Sequence, residues 1–145
     1  MLPDEVETEA EPEDEPGAEP EAEVDAADRA AILAASVDYI EAWLDGDHER
    51  MARCLHPELV KRAVGYGDQA RGPWIETMTR DDMVAETAQG HGRGMARPYD
   101  ASILDSYGNV ATVRVLSSLY LDYLQLARFG DRWQLVNVLW QRRPI

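Results

Sequence analysis

The chain contains one cysteine, Cys54, only three histidines, and no basic side chain in its first 25 residues. A lone cysteine excludes an internal disulfide and a cysteine-based zinc site. No apolar run approaches the ~18 residues of a membrane-spanning helix, and the N-terminus lacks the basic and apolar segments of a secretion signal. The scattered histidines do not have the spacing of a zinc enzyme. We therefore expect a cytoplasmic protein without a membrane span, a metal or another cofactor.

Positive charge is scarce, and negative charge is concentrated at one end. The net charge is −14, and residues 1–25 hold twelve of the 28 acidic side chains, which leaves −2 on the other 120 residues. With four prolines and few large apolar residues, residues 1–25 are predicted to form a disordered acidic tail. The tail serves either solubility or docking to a basic partner. The folded domain is predicted over residues 26–145, and its near-neutral charge argues against nucleic-acid binding.

The first half of the domain has helical patterning. Apolar residues at helical spacing predict one buried stripe on a first helix: Ala30, Leu33, Val37, Ile40 and Trp43 or Leu44. Asp25 is its expected N-cap, and Gly46 is its expected C-terminal stop. A second, short helix is predicted to end at Pro57. A strand over Leu59–Val64 and a glycine-rich loop over 65–75 should follow, before Thr79 caps a third helix that ends at Gly90.

From Tyr99 onward the pattern changes to the two-residue period of strands, predicted over 99–107, 110–117, 121–129 and 132–141. The last strand is apolar on both predicted faces: Trp133, Leu135 and Leu139 on one, and Val136, Val138 and Trp140 on the other. The helices can cover only one face of such a sheet. We therefore expect a homodimer through the outer sheet face.

Two runs resemble a known family. Tyr39–Leu59 has an aromatic-rich helix followed by Gly-Asp and then His-Pro, and Leu121–Trp140 has Asp-Tyr-Leu, Gly-x-x-Trp and an apolar strand. Both are similar to segments of the nuclear transport factor 2-like superfamily, and most similar to its putative lumazine-binding family, over roughly residues 28–142. The resemblance implies an α+β cone, in which a curved antiparallel sheet wraps around about three N-terminal helices. Since this fold hosts isomerases, cyclases, dehydratases and binding proteins, function has to be argued from the site.

Two residues are candidates for catalysis. Asp122 lies in an apolar strand, where burial would raise its pKa and suit it to a general base, unless it faces solvent or pairs with Arg114 or Arg128. His56 is either a proton shuttle or a loop-stabilising side chain. Cys54 is expected to be an inert buried thiol.

Six further residues are candidates for ligand binding: Tyr39, Trp43, Arg62, Trp74, Tyr120 and Asn137. Each of them has an alternative role in the core or at the rim. Many aromatic side chains and few titratable groups favour a non-catalytic domain that holds a small molecule in an apolar, aromatic-lined pocket. The alternative is a cofactor-independent isomerase or cyclase that uses Asp122 or His56 as base and Tyr39 or Tyr120 as oxyanion donor.

Overall fold

The computed structural model describes residues 24–65 and 74–144. In chain order the elements are α1 (Ala26–Asp45), α2 (His48–Cys54), β1 (Leu55–Gly65), β2 (Trp74–Thr79), α3 (Arg80–Ala88), β3 (Asp100–Tyr107), β4 (Val110–Leu116), β5 (Tyr120–Phe129) and β6 (Arg132–Arg142). Almost all of the predicted acidic tail, and most of the predicted glycine-rich loop, lie outside the described residues.

The six strands form one open sheet in the order β2-β1-β6-β5-β4-β3. The predicted α+β architecture, with a sheet against three helices, is confirmed. The sheet is mixed rather than wholly antiparallel, because β1 runs parallel to β6 while every other neighbouring pair is antiparallel. Register shifts interrupt three of the five ladders, and such irregularities bend and twist strands.

Local signals set the ends of the helices. The side chain of Asp25 accepts a hydrogen bond from the amide of Asp28, and Gly46 ends α1 with φ of 69°. Thr79 and Asp82 form a reciprocal capping box at the start of α3. All three were predicted, because caps depend on residues close in sequence.

The predicted buried stripe of α1 is correct only near the end of the helix. Ile40 and Leu44 are buried, but Ala30 is exposed, and Leu33 and Val37 are only half-buried. The other buried residues of α1 are Ile32, Ala35, Ser36, Tyr39 and Ala42. Alanine-rich helices present several faces of similar polarity, so the packing of α1 on the sheet decides which face is buried. As a result, Tyr39 lies on the face that packs towards the sheet.

Two predicted boundaries between residues 54 and 80 are wrong. The second helix ends at Cys54 and β1 starts at Leu55, so Pro57 lies inside a strand. The β1–β6 ladder is interrupted between Leu55 and Val60, so no ladder hydrogen bond at Pro57 requires the N–H that a proline lacks. The sequence predicted no strand over Trp74–Thr79, and its first two residues fell in the predicted loop. This segment forms β2 because it pairs with β1.

The predicted alternation of faces along the last strand is also wrong. The register between β5 and β6 shifts between Leu135 and Asn137, because Gln125 pairs with Asn137 while the next residue, Leu126, pairs with Leu135. The extra residue at this bulge reverses the alternation. Trp133, Leu135 and Val138 are therefore buried on the same side, and Leu139 is exposed.

The helices and the inner face of the sheet enclose a single core. Its large buried side chains come from α1, α2, α3 and the strands β1, β4, β5 and β6. The Nε1 atom of Trp133 donates to Asp28 at 2.9 Å, which ties β6 to the first turn of α1. None of the described helices is long and apolar enough to span a bilayer. A pocket remains at one end of this core.

Candidate functional site

The pocket lies between α1, α3 and the inner face of the sheet and has a volume of about 170 Å³. Its walls are mostly aromatic or apolar, and its polar groups are one lysine, one aspartate, two glutamates and two tyrosine hydroxyls. The lining residues are Tyr39, Ile40, Trp43, Lys61, Glu76, Met78, Glu86, Tyr120, Asp122 and Trp140.

Three buried polar side chains form a hydrogen-bonded chain in this lining. The Nζ of Lys61 donates to the hydroxyl of Tyr39 at 2.7 Å, and that hydroxyl donates to Oδ2 of Asp122 at 2.7 Å. Lys61 is 8% exposed, Asp122 6% and Tyr39 3%. The lysine and the aspartate are thus joined through the tyrosine, and their opposite charges compensate each other inside the fold.

Burial shifts the protonation equilibria of all three groups towards their neutral forms. It raises the pKa of Asp122, an effect that the positive charge of Lys61 and the hydrogen bond from Tyr39 oppose. It lowers the pKa of Lys61, against the opposing effect of Asp122. It also raises the pKa of Tyr39 well above the usual value, with the negative charge of Asp122 adding to the rise.

Aromatic rings surround the ammonium group of Lys61. Its Nζ lies 5.2 Å from the ring centroid of Tyr39, 5.7 Å from that of Trp43 and 5.3 Å from that of Trp140. The ring of Tyr120 meets that of Trp140 edge to face at 5.1 Å. Such rings attract a cation and offer flat surfaces to a planar ligand.

The structure brings together four of the predicted site residues. Tyr39 and Trp43, one turn apart on α1, meet Tyr120 and Asp122 from β5 in the lining of the pocket. Of the alternatives that the sequence left open for Asp122, the structure shows the buried one, and its hydrogen-bond partner is Tyr39. Arg128, one of the two arginines considered as partners of Asp122, bonds instead to Asn109 and Asp28.

Four other predicted site residues lie apart from that lining. The ring of His56 packs on Phe129 at 4.5 Å, and its Nδ1 accepts the amide of Glu58. Arg62 and Asn137 are exposed on the outer face of the sheet. Trp74 starts β2, and its indole covers Gly65, where a Cβ would collide with the ring.

Sequence reasoning missed Lys61. The chain has fourteen basic side chains, and Lys61 is the single lysine among thirteen arginines. It also alternates with two buried apolar residues, Leu59 and Ala63, on the inner side of β1. A lone lysine on the buried face of a strand is a signal that the sequence contained.

Other reactive groups do not join the site. Cys54 is buried, and burial raises the pKa of its thiol to about 12, so the thiol is protonated at neutral pH. Over residues 24–65 and 74–144, no group of three or more His, Cys, Asp or Glu side chains could hold a metal ion.

Comparison with known families agrees with the fold. The family described as putative lumazine-binding matches residues 27–141. The chain belongs to this family. Its putative lumazine-binding domain therefore spans the whole of the described α+β body. None of the curated proteins matches the chain.

Solved structures share the architecture of this putative lumazine-binding domain. A nuclear transport factor 2-like protein from Methylobacillus flagellatus is 20% identical in sequence and superposes with a TM-score of 0.66. The alignment covers 85% of this chain and 98% of the chain from Methylobacillus. One from Silicibacter pomeroyi is 18% identical with a TM-score of 0.64, covering 79% and 94%. Both are described as being of unknown function.

A third structure is a ketosteroid isomerase-like protein from Erwinia carotovora atroseptica. It is 16% identical with a TM-score of 0.58, covering 83% of this chain and all of its own. At such identities the likeness shows a nuclear transport factor 2-like fold and does not assign an activity.

Proposed function

We propose that the pocket binds a small, flat, neutral organic molecule, with a carbonyl or similar acceptor bonded to Nζ of Lys61. The observation that carries the proposal is the position of this amine, which lines the pocket, is buried, and lies among three aromatic rings. A buried ammonium requires acceptors, and Tyr39 supplies one of them. A ligand oxygen would supply another.

The dimensions of the pocket support a ligand with a single ring. Its volume is about 170 Å³, and a dry apolar cavity of about 150 Å³ accommodates benzene. Trp43, Tyr120 and Trp140 provide flat aromatic walls. A mostly apolar pocket with a few convergent polar groups is the usual form of a small-molecule site.

The surrounding charges favour a neutral ligand over an anionic one. Glu76 and Glu86 both line the pocket, and Asp122 already balances the charge of Lys61. A bound carboxylate would place a further negative charge beside these groups, whereas a neutral carbonyl accepts a hydrogen bond without that cost.

Three matched single-ring compounds test this proposal: benzamide, benzoate and toluene, followed by tryptophan fluorescence and ligand-observed NMR. We expect benzamide to bind most tightly of the three. We also expect Lys61→Met to lower the affinity for benzamide more than the affinity for toluene. Arg62→Met is the matched control, because Arg62 follows Lys61 in the sequence but its side chain is exposed on the outer face of the sheet. Failure of all three to bind, or equal affinities in wild type and Lys61→Met, would contradict the proposal.

The second candidate function is a cofactor-independent isomerase or cyclase. The observation in its favour is that Asp122 lies in the pocket with a raised pKa, as a general base requires. Tyr39, Tyr120 and Lys61 are available as donors to a developing oxyanion. Deuterium exchange next to the carbonyl of a bound ketone, lost in Asp122→Asn, would distinguish this candidate from a non-catalytic binder.

We also propose a homodimer through the outer face of the sheet, as the sequence led us to expect. Leu139 is 53% exposed and Tyr123 is 40% exposed, although they lie on the two central strands β6 and β5. Tyr123 and Leu139 pair directly across the two strands, and large exposed apolar side chains that lie side by side mark an interaction surface. A second copy offers the same surface, and two-fold pairing closes the assembly.

A further inference from the structure

Lys61 combines three properties whose consequences go beyond hydrogen bonding. It is the only lysine in the chain, it lines a pocket from within the core, and it has a short hydrogen-bonded connection to a carboxylate. An arginine in the same place would keep its charge under all ordinary conditions, whereas a buried lysine can become a neutral amine. A neutral amine in a pocket is a nucleophile.

The hydrogen bonds provide a way to create that neutral amine without releasing a proton to water. Nζ of Lys61 donates to Tyr39 and Tyr39 donates to Asp122, each over 2.7 Å. A proton that moves from Lys61 to Tyr39, while the tyrosine proton moves to Asp122, leaves a neutral amine and a neutral carboxyl group. Burial favours this neutral pair, because it disfavours the charged form of both end groups.

We propose that Lys61 captures a small aldehyde or ketone in this pocket as a reversible imine. The inference rests on the proposed function, because the carbonyl compound occupies the same pocket. It assigns to the ligand a reactive carbonyl group, and to Lys61 the formation of a covalent bond.

The step balances with the groups that are present. The Nζ lone pair attacks the carbonyl carbon, and an amine proton passes to the carbonyl oxygen to give a carbinolamine. The proton held by Asp122 returns through Tyr39 to the hydroxyl, which leaves as water while the C=N bond forms. The products are a protonated imine, one water molecule and the Asp122 carboxylate, so no oxidant, reductant or metal takes part.

The charges around Lys61 suit the product as well as the reactant. The protonated imine keeps the positive charge of the original ammonium, and Asp122, Glu76 and Glu86 are the acidic side chains that face it. The three rings near Nζ remain beside the cation. Formation of the imine therefore leaves the net charge of the pocket unchanged.

Reductive trapping tests the inference. The full chain is incubated with benzaldehyde and sodium cyanoborohydride, which reduces an imine to a stable benzyl amine, and the modified residue is located by fragment mass spectrometry. Because Lys61 is the only lysine, the only other primary amine is the α-amino group, which serves as an internal reference. We expect a benzyl group on Lys61, formed faster in the folded chain than in the urea-unfolded chain.

Two comparisons make the outcome decisive. Lys61→Arg keeps a long cationic side chain but has no amine nucleophile. We therefore expect the benzyl adduct at position 61 to be lost and the adduct on the α-amino group to remain. Tyr39→Phe removes the hydroxyl that connects Lys61 to Asp122. We expect this variant to fold like the wild type and to be trapped at Lys61 more slowly.

Binding is measured separately, by ligand-observed NMR of benzaldehyde and benzamide. If benzaldehyde binds but only the α-amino group is modified, the inference is wrong and the proposed binding function stands. Equal trapping rates in folded and unfolded chains would also overturn the inference. If neither compound binds, the proposed function fails as well.

Discussion

Lys61 places a positive charge where water is scarce, and Asp122 balances it through the hydroxyl of Tyr39. Breaking such a buried pair on one side costs about 3–5 kcal/mol, because the remaining charge has no compensation, whereas replacing both partners can be nearly neutral. At the scale of single residues, stability and function therefore depend on the same three side chains.

We predict that Lys61→Met destabilises the fold in a pH-dependent manner. Without Lys61, the folded-state pKa of Asp122 rises further, because the charge that opposed the effect of burial is gone. The unfolded-state pKa remains about 4. A folded-state pKa above the unfolded one means that stability falls as pH rises between the two values, since the folded state binds more protons there. Urea unfolding should show a loss of about 3–5 kcal/mol at pH 7 and a smaller loss near pH 4.

Arg62→Met and the double variant Lys61→Met/Asp122→Asn are the controls. Arg62 is exposed, so its replacement should change stability little at any pH. The double variant should recover much of the lost stability at pH 7, because no charge is left unpaired. A loss in Lys61→Met that is the same at both pH values would refute this explanation.

At the scale of elements, the ends of helices are decided locally. Thr79 accepts a hydrogen bond from the amide of Asp82, and the carboxylate of Asp82 accepts one from the amide of Thr79. This capping box joins the end of β2 to the start of α3, which contributes Glu86 to the pocket.

Thr79→Ala should therefore lower the free energy of unfolding by about 1 kcal/mol, the usual cost of losing an N-cap hydroxyl. Thr79→Ser keeps the hydroxyl and should cost much less. The two variants are compared by their denaturant midpoints, measured by circular dichroism, provided that the unfolding free energy has the same dependence on denaturant concentration in both. An unchanged midpoint in Thr79→Ala would show that the cap does not stabilise α3.

Other features of the elements depend on neighbours that are distant in sequence. The bulge in β6 is defined by its pairing with β5, where the adjacent residues Gln125 and Leu126 pair with Asn137 and Leu135. This bulge turns Leu139 outward. The strand β2 forms against β1, and the rotation of α1 follows from its packing on the sheet. The helix caps were predictable from four-residue patterns, whereas the faces of α1 and β6 were not.

At the scale of the whole molecule, the inner face of the sheet is covered by helices, and the outer face carries exposed apolar side chains in its centre. The groove there is lined by residues of β1, β4, β5 and β6, among them Val60, Tyr123 and Leu139. The polar residues Arg62 and Asn137 share this face, so it resembles a mixed interface more than a buried core.

We predict that the wild-type chain sediments as a dimer at micromolar concentration, and that Leu139→Arg shifts it towards monomer. A charge in the centre of a two-fold interface meets its own copy and loses water, so the effect is doubled. Tyr107→Arg, which adds the same charge at an exposed end of the edge strand β3, should leave the dimer intact. Wild-type protein that sediments only as monomer would disprove the proposed interface.

The sequence alone determined the α+β class, the helix caps and the hairpin strands, because these follow from local hydrogen bonding and short-period apolar patterns. Only the tertiary structure showed the parallel pairing of β1 with β6, and with it the approach of Lys61 to Tyr39 and Asp122. Residues 39, 61 and 122 lie on three elements, and no local pattern encodes a contact across such separations. Their meeting depends on strand register and helix rotation, which are fixed only when the whole core packs.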